Sequence, residues 1–155
     1  MSTIHSKTLQ DLEFPTVLTH INLRCSTEIG KERALEIIPL SNQEAIFDAL
    51  GKTSEYVSSY LNENRIPNHD FDGIDKELHL LKIENATLEV GSFRKIGTIC
   101  KTVQLHHKFF KKFKEYYPLL NASAQKLELI PEIPTAIDAI IDKFGEVKDK
   151  ASDAL

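Results

Sequence analysis

The sequence predicts an all-α protein, an irregular bundle of about six to eight helices built around one long helix. Apolar residues recur mainly three and four positions apart, which is the spacing of one face of an α-helix. The longest such stretch covers about residues 90–117 and contains no proline. Strand signals are nearly absent, because the alternation at residues 127–130 lasts for only four residues. Short connections between the predicted helices favour antiparallel neighbours.

Local signals place the helices of the first half. A short helix is predicted over residues 7–12 and a second over residues 14–25. A third begins at Ser26 or Thr27, which can cap it, and is stopped by Pro39. A capping box of Ser41 and Glu44 opens a fourth helix that runs to about residue 61.

The second half follows a long polar loop over residues 62–71. A helix capped by Asp72 ends at Leu80, and a turn at 85–89 follows it. The long helix is ended by Pro118, and a weaker helix is predicted at 119–129. Pro131 opens the last helix, and Gly145 indicates a tight turn or short hairpin after it.

Composition sets broad limits on function. The chain has 155 residues, which fits a single helical domain over residues 1–155, and its two cysteines are too few for a disulfide framework. No apolar run has the length of a membrane span and the N-terminus has no signal-peptide core. We therefore expect a cytoplasmic chain with no membrane partner.

Motifs that carry chemistry are missing. Residues 70–81 look briefly like a calcium loop, but Asp75 and Leu81 stand where glycine and glutamate are required. His106 and His107 point about 100° apart on a helix, so packing explains them better than a shared metal. No glycine-rich phosphate loop or nucleophile motif is present. We predict no catalytic, cofactor-binding or metal-binding residue.

The basic side of the long helix is the one candidate contact surface. Residues 90–117 carry seven Lys or Arg and one Glu, although the whole chain has a net charge of −4. Charge pairing within the chain is the commoner reason for such an asymmetry, and a nucleic-acid face is the alternative. Two aromatic residues lie beside the basic stripe and can cover a neighbouring helix, mark a partner interface or stack on bases. The candidate residues are Arg94, Lys101, Lys108, Lys112, Phe109 and Tyr116.

Several passages resemble the N-terminal core, or lever, segment of MutS-family DNA mismatch-repair-like ATPases. They are residues 7–14 (KTLQDLEF), 27–31 (TEIGK), 38–41 (IPLS), 71–74 (FDGI) and, most specifically, 140–142 (IID) followed by 145–155 (GEVKDKASDAL). The resemblance covers nearly the whole chain and is closest to the branch that lacks the mismatch-reading domain. It is carried by pattern over length rather than by one decisive motif.

The resemblance implies a non-catalytic segment that couples ATP state to DNA clamping in a longer protein. ATP and magnesium would bind in a separate ATPase domain, and the clamp would also lie outside this chain. The partners implied are the rest of the MutS-like chain and, through it, DNA. A homodimer is a further partner that the resemblance allows. Two alternatives also remain: a stand-alone helical adaptor or dimerisation module anchored by Phe109 and Tyr116, and direct weak DNA binding through the basic stripe.

Overall fold

The computed structural model describes residues 4–142 and 144–151, and the protein is helical there, with no strand in these residues. The predicted all-α class and the helix number are confirmed. The described part contains eight α-helices: α1 Ser6–Asp11, α2 Phe14–Asn22, α3 Glu28–Leu35, α4 Gln43–Ser58, α5 Asp75–Leu80, α6 Val90–Lys112, α7 Pro118–Ala124 and α8 Glu132–Ile140.

The chain divides into two compact units, Met1–Arg65 and Ile66–Leu155. The first contains α1 to α4 and the second contains α5 to α8. No described helix is long and apolar enough to cross a membrane.

The first unit is organised by the pairing of α2 with α3, and α1 packs on α2. Leu18 of α2 and Ala34 of α3 are buried. The side-chain amide of Asn22 donates to the carbonyl oxygen of Lys31 at 2.8 Å, which ties the two helices together. Thr27, one of the two predicted caps, is the N-cap of α3, because its hydroxyl oxygen accepts from the Gly30 amide at 3.0 Å.

Helix α4 begins one residue later than the capping box predicts. Asn42, not Ser41, is the N-cap, and its side-chain oxygen accepts from the amides of Glu44 at 2.8 Å and Ala45 at 3.2 Å. Both residue types are good caps, so their chemistry alone does not choose between them. The apolar face predicted for this helix is largely exposed, at Leu50, Val57, Tyr60 and Leu61, and no residue of α4 is buried.

Helix α6 ends at Lys112, so the prediction of one helix over residues 90–117 is wrong at its C-terminal end. Phe113 is the C-cap, and the amides of Tyr116 and Tyr117 both donate to its carbonyl oxygen, which makes a turn. Pro118 then opens α7 rather than ending α6. A proline disfavours helical geometry in the preceding residue, and that residue, Tyr117, is drawn into the core.

Of the shorter elements, α5 differs from its prediction, whereas the start of α8 and the turn after it agree with theirs. Helix α5 starts at Asp75 with Ile74 as N-cap, so the predicted cap Asp72 lies outside it, and Asp75 is in the first turn as expected. Helix α8 has Pro131 at its N-cap, which confirms the predicted start. The predicted turn is confirmed by an antiparallel bridge between Ile141 and Val147.

The core of the second unit lies where α6 meets α7. Phe110, Tyr117 and Ala124 are buried, and a set of half-buried apolar residues packs against them: Ile66, Phe109, Phe113 and Leu120. Tyr117 is 0% exposed and is the largest fully buried side chain among the described residues. Helix α6, about 34 Å long at 1.5 Å per residue, is thus anchored at its C-terminal end by aromatic packing.

Candidate functional site

The N-terminal half of α6 packs against α8. Gly97 is buried there, and a Cβ atom at this position would lie 3.6 Å from the nearest atoms of Ile137. The glycine therefore lets α8 approach α6 closely. One helical turn further on, the ammonium of Lys101 contacts the carboxylate of Asp138 at 2.6 Å. Both side chains of this ion pair are more than half exposed, so solvent weakens it.

Arg94 is held by the turn that follows α8. Gly145 has φ of +88°, and a Cβ atom there would come within 2.6 Å of the Arg94 side chain. The guanidinium thus lies directly over the glycine. On the same side, the ammonium of Lys148 donates to the carbonyl oxygen of Asp138.

Asp142 organises this turn from within. Its carboxylate oxygen accepts from the backbone amides of Glu146 at 2.9 Å and Phe144 at 2.8 Å. The hydrogen bond from the Glu146 amide is the largest cause that lowers the pKa of Asp142, and the Phe144 amide and the charge of Lys148 act in the same direction.

Glu77 joins α5 to the first turns of α6. Its side chain is buried, and one carboxylate oxygen lies 3.4 Å from both the Ser92 hydroxyl and the Lys95 ammonium. Its own backbone N–H is the largest cause that lowers the pKa of Glu77, followed by the charge and hydrogen bond of Lys95 and then by Ser92. Sequence reasoning missed this residue. Its spacing could have revealed it, because Glu77 lies three residues after Ile74 and four before Leu81 and so shares the apolar face of the helix.

Aromatic rings surround the C-terminal end of α6. Ring centroids are 5.4 Å apart for Phe109 and Phe110, 5.9 Å for Phe109 and Tyr117, and 6.2 Å for Phe110 and Tyr117. These are the separations of favourable aromatic pairs. Phe109 is therefore part of the packed cluster.

His106 connects α6 to the segment that precedes α5. Its Nδ1 lies 2.8 Å from the carbonyl oxygen of Thr102, and its Nε2 lies 3.2 Å from that of Pro67. The ring also meets His69 edge to face at 6.0 Å. These contacts give His106 a packing role in the second unit.

The structure divides the predicted basic stripe into two parts. Arg94 and Lys101 are engaged by the turn and by α8, as described above. Lys108 and Lys112 are exposed, and the Lys112 ammonium lies 4.9 Å from the centre of the Phe113 ring. Tyr116 is 59% exposed, in contrast to the half-buried Phe109.

Protein metal sites commonly bring several His, Cys, Asp or Glu side chains close together. No three such side chains of the described residues come together in a way that would hold a metal ion.

The chain is similar along its length to curated proteins named Endonuclease MutS2. The relative from Geobacillus sp. (strain WCH70) is 28% identical over 155 residues, covering 98% of this chain and 20% of the relative. The relative from Leuconostoc mesenteroides is 27% identical over 154 residues, covering 96% and 19%, and the one from Bacillus velezensis is 26% identical over 155 residues, covering 98% and 20%.

This chain therefore spans about a fifth of the length of these curated relatives. No protein-family model matches it, and no solved structure matches it.

Proposed function

We propose that this chain, which is similar along its length to MutS2 proteins, is a non-catalytic core, or lever, segment that couples ATP state to DNA clamping. Its partners would be the rest of a MutS-like chain and, through that chain, DNA. ATP and magnesium would bind in a separate domain of the longer protein, which we expect in the cytoplasm. The similarity over 98% of this chain and only 20% of a relative supports a segment role.

The observation that carries the proposal is the support of α6 by three other helices of its unit. Glu77 of α5 meets its first turns, Ile137 of α8 packs on Gly97, and α7 joins the aromatic cluster at its end. Close-packed protein interiors are only slightly compressible, so a helix supported in this way moves as one body. A displacement at one end of α6 then reaches the other end.

The non-catalytic part of the proposal has a direct test. We expect the purified chain to be helical by circular dichroism and to hydrolyse no ATP, because its sequence has no glycine-rich phosphate loop and no three His, Cys, Asp or Glu side chains of the described residues come together to hold a metal ion. ATP turnover above that of a buffer control would contradict a purely mechanical role.

The coupling part requires a longer protein. In a chimera, this chain would replace the matching segment of the Geobacillus relative, and the rate of DNA dissociation would be measured with and without ATP. Gly97→Leu should push α8 away from α6, whereas Gly97→Ala adds a methyl group at an ordinary 3.6 Å contact with Ile137. The alanine variant serves as the matched control.

We expect the alanine chimera to keep the ATP-dependent change in dissociation rate and the leucine chimera to lose it. DNA binding without ATP should be the same in both. An unchanged ATP response in the leucine chimera would refute the proposal that the packing of α6 on α8 transmits the signal.

Dimerisation is the second candidate, and the exposure of Tyr116 favours it. Aromatic side chains are common anchors at protein interfaces. Phe109 does not offer a second exposed anchor, since it packs in the cluster with Phe110 and Tyr117. Sedimentation equilibrium distinguishes the two functions: a dimer that Tyr116→Ala converts to a monomer supports this candidate, and a monomeric wild type excludes it.

A further inference from the structure

The charge on α6 that finds no acidic partner is concentrated at its C-terminal end. Lys95 and Lys101, nearer the N-terminus, each contact an acidic side chain. No ion pair of the described residues involves the four lysines further along, and all four are exposed. With the neighbouring exposed tyrosine they form what we term the α6 terminal cluster: Lys108, Lys111, Lys112, Lys114 and Tyr116.

Helix electrostatics explain only part of this cluster. Lys111 and Lys112 lie in the last turn of α6, where a cation interacts favourably with the helix dipole. Lys108 lies a full turn earlier, and Lys114 lies beyond the end of the helix. The dipole effect decreases within one turn, so it gives no reason for four lysines in seven residues.

An exposed aromatic ring is held next to this charge. The Phe113 ring has the Lys112 ammonium 4.9 Å from its centre, and the Tyr116 ring centre lies 6.4 Å from the same point. Phe113 itself packs against the buried cluster, so it connects the Lys112 ammonium and the Tyr116 ring to the core. Tyr116 is 59% exposed, whereas Tyr117, its neighbour, is 0% exposed.

We propose that the α6 terminal cluster is a contact site for single-stranded nucleic acid. Lysine ammonium groups meet the backbone phosphates, and a base stacks on the Tyr116 ring. Single-stranded binding commonly combines a positively charged surface with aromatic stacking. An unpaired strand fits better than a duplex, because the bases of a duplex are already stacked on each other. The site does not depend on the proposed coupling function, and a failure of either leaves the other standing.

The test measures fluorescence anisotropy of a labelled oligo-dT strand at low salt, with the same strand in duplex form as comparison. The variant Lys111→Glu with Lys114→Glu reverses two charges of the cluster. The control reverses Lys76 and Lys82, two exposed lysines of the same unit that lie outside the cluster. Both double variants change the net charge by the same amount, so long-range repulsion is matched.

We expect the cluster variant to weaken binding of the single strand at least tenfold and the control variant less than threefold. Four phosphate contacts predict a slope near −3 for the logarithm of the binding constant against that of the salt concentration, at about −0.7 per contact. Tyr116→Ala should weaken binding roughly fivefold or more, as the loss of one stacked base does. Tyr116→Phe keeps the ring and should keep the affinity.

Three results would overturn the proposal. Equal losses of affinity for oligo-dT in the cluster and control variants would show general electrostatic repulsion of the strand. Equal affinity for the duplex together with no effect of Tyr116→Ala would show attraction without stacking. Equally tight binding of labelled polyglutamate, still dependent on Lys111 and Lys114, would assign the surface to an acidic protein partner. Circular dichroism of each variant would confirm that these surface changes leave the helices intact.

Discussion

Replacing Tyr117 by alanine should destabilise the second unit more than most single substitutions. The side chain is 0% exposed, and its ring lies 5.9 Å from that of Phe109 and 6.2 Å from that of Phe110. The substitution removes the buried ring that joins the end of α6 to the start of α7. Its neighbours are held by their own helices and can only partly fill the space.

The magnitude follows from the area that the ring buries. A buried aromatic side chain removes roughly 150–250 Å² from water, which corresponds to about 4–6 kcal/mol at 25 cal/mol per Å². A compact unfolded state reduces this figure, and measured losses for buried aromatic residues replaced by alanine are about 3–5 kcal/mol. We expect a loss of that size. The total free energy of unfolding of a small domain is only about 5–15 kcal/mol.

Urea unfolding followed by far-ultraviolet circular dichroism measures this loss. With a slope of about 2 kcal/mol per M, a loss of 4 kcal/mol lowers the midpoint by about 2 M. Tyr117→Phe is the control, because it keeps the ring and removes only the hydroxyl, at a cost of about 0.5–1.5 kcal/mol. A loss below about 1 kcal/mol for the alanine variant, with an unchanged slope, would refute the assignment of Tyr117 as the centre of this core.

Three further predictions concern other contacts. Gly145→Ala should lower the free energy of unfolding by about 1–2 kcal/mol, because φ is +88° and Arg94 fills the space beside the glycine. Gly91→Ala, whose added methyl group would have nothing within 4 Å, should raise it by about 0.5–1 kcal/mol. Melting temperatures of the two variants that shifted in the same direction would contradict this prediction. The lowered pKa of Glu77 means that its ionised carboxylate contributes fully to folding stability above the ordinary pKa of 4.5. That contribution is lost as the pH falls below this value. Glu77→Gln should therefore be less stable than wild type at pH 7, with a difference that shrinks below pH 4.5, and a pH-independent difference in urea midpoints would argue against the ion pair. A double-mutant cycle on Lys101→Ala and Asp138→Ala should give a coupling of about 0.2–1 kcal/mol that decreases with salt, and a coupling insensitive to salt would contradict a solvent-exposed pair.

Features that depend on a few neighbouring residues were predictable from the sequence. Thr27 caps α3, Pro131 precedes α8, and Gly145 adopts the left-handed conformation in its turn. Each outcome depends on side-chain or backbone chemistry within a few positions. The start of α4 shows the limit of such signals, since Ser41 and Asn42 are adjacent and both are suitable caps.

Features that depend on distant residues were not predictable. Beyond His107 the apolar spacing of residues 90–117 becomes irregular and predicts a bend, a fray or an interface from Lys108 onward, but it does not show that α6 ends at Lys112 and that Tyr117 lies in the aromatic core. Similarly, the sequence places Lys101 on the basic stripe but does not reveal Asp138, its partner 37 residues away. The division of the stripe between engaged and unpaired lysines therefore required the structure.

The proposed function depends on α6 behaving as one rigid body, and a distance measurement along this helix tests it most directly. Spin labels would be attached at Gly91→Cys and Lys108→Cys, both exposed positions, after the free cysteines Cys25 and Cys100 are replaced by serine. The Cα atoms of the labelled residues are about 26 Å apart in a straight helix. Double electron–electron resonance should give one narrow distance distribution, consistent with that separation and the reach of the labels. A broad or two-peaked distribution would show that α6 bends, and would contradict its role as a rigid connection.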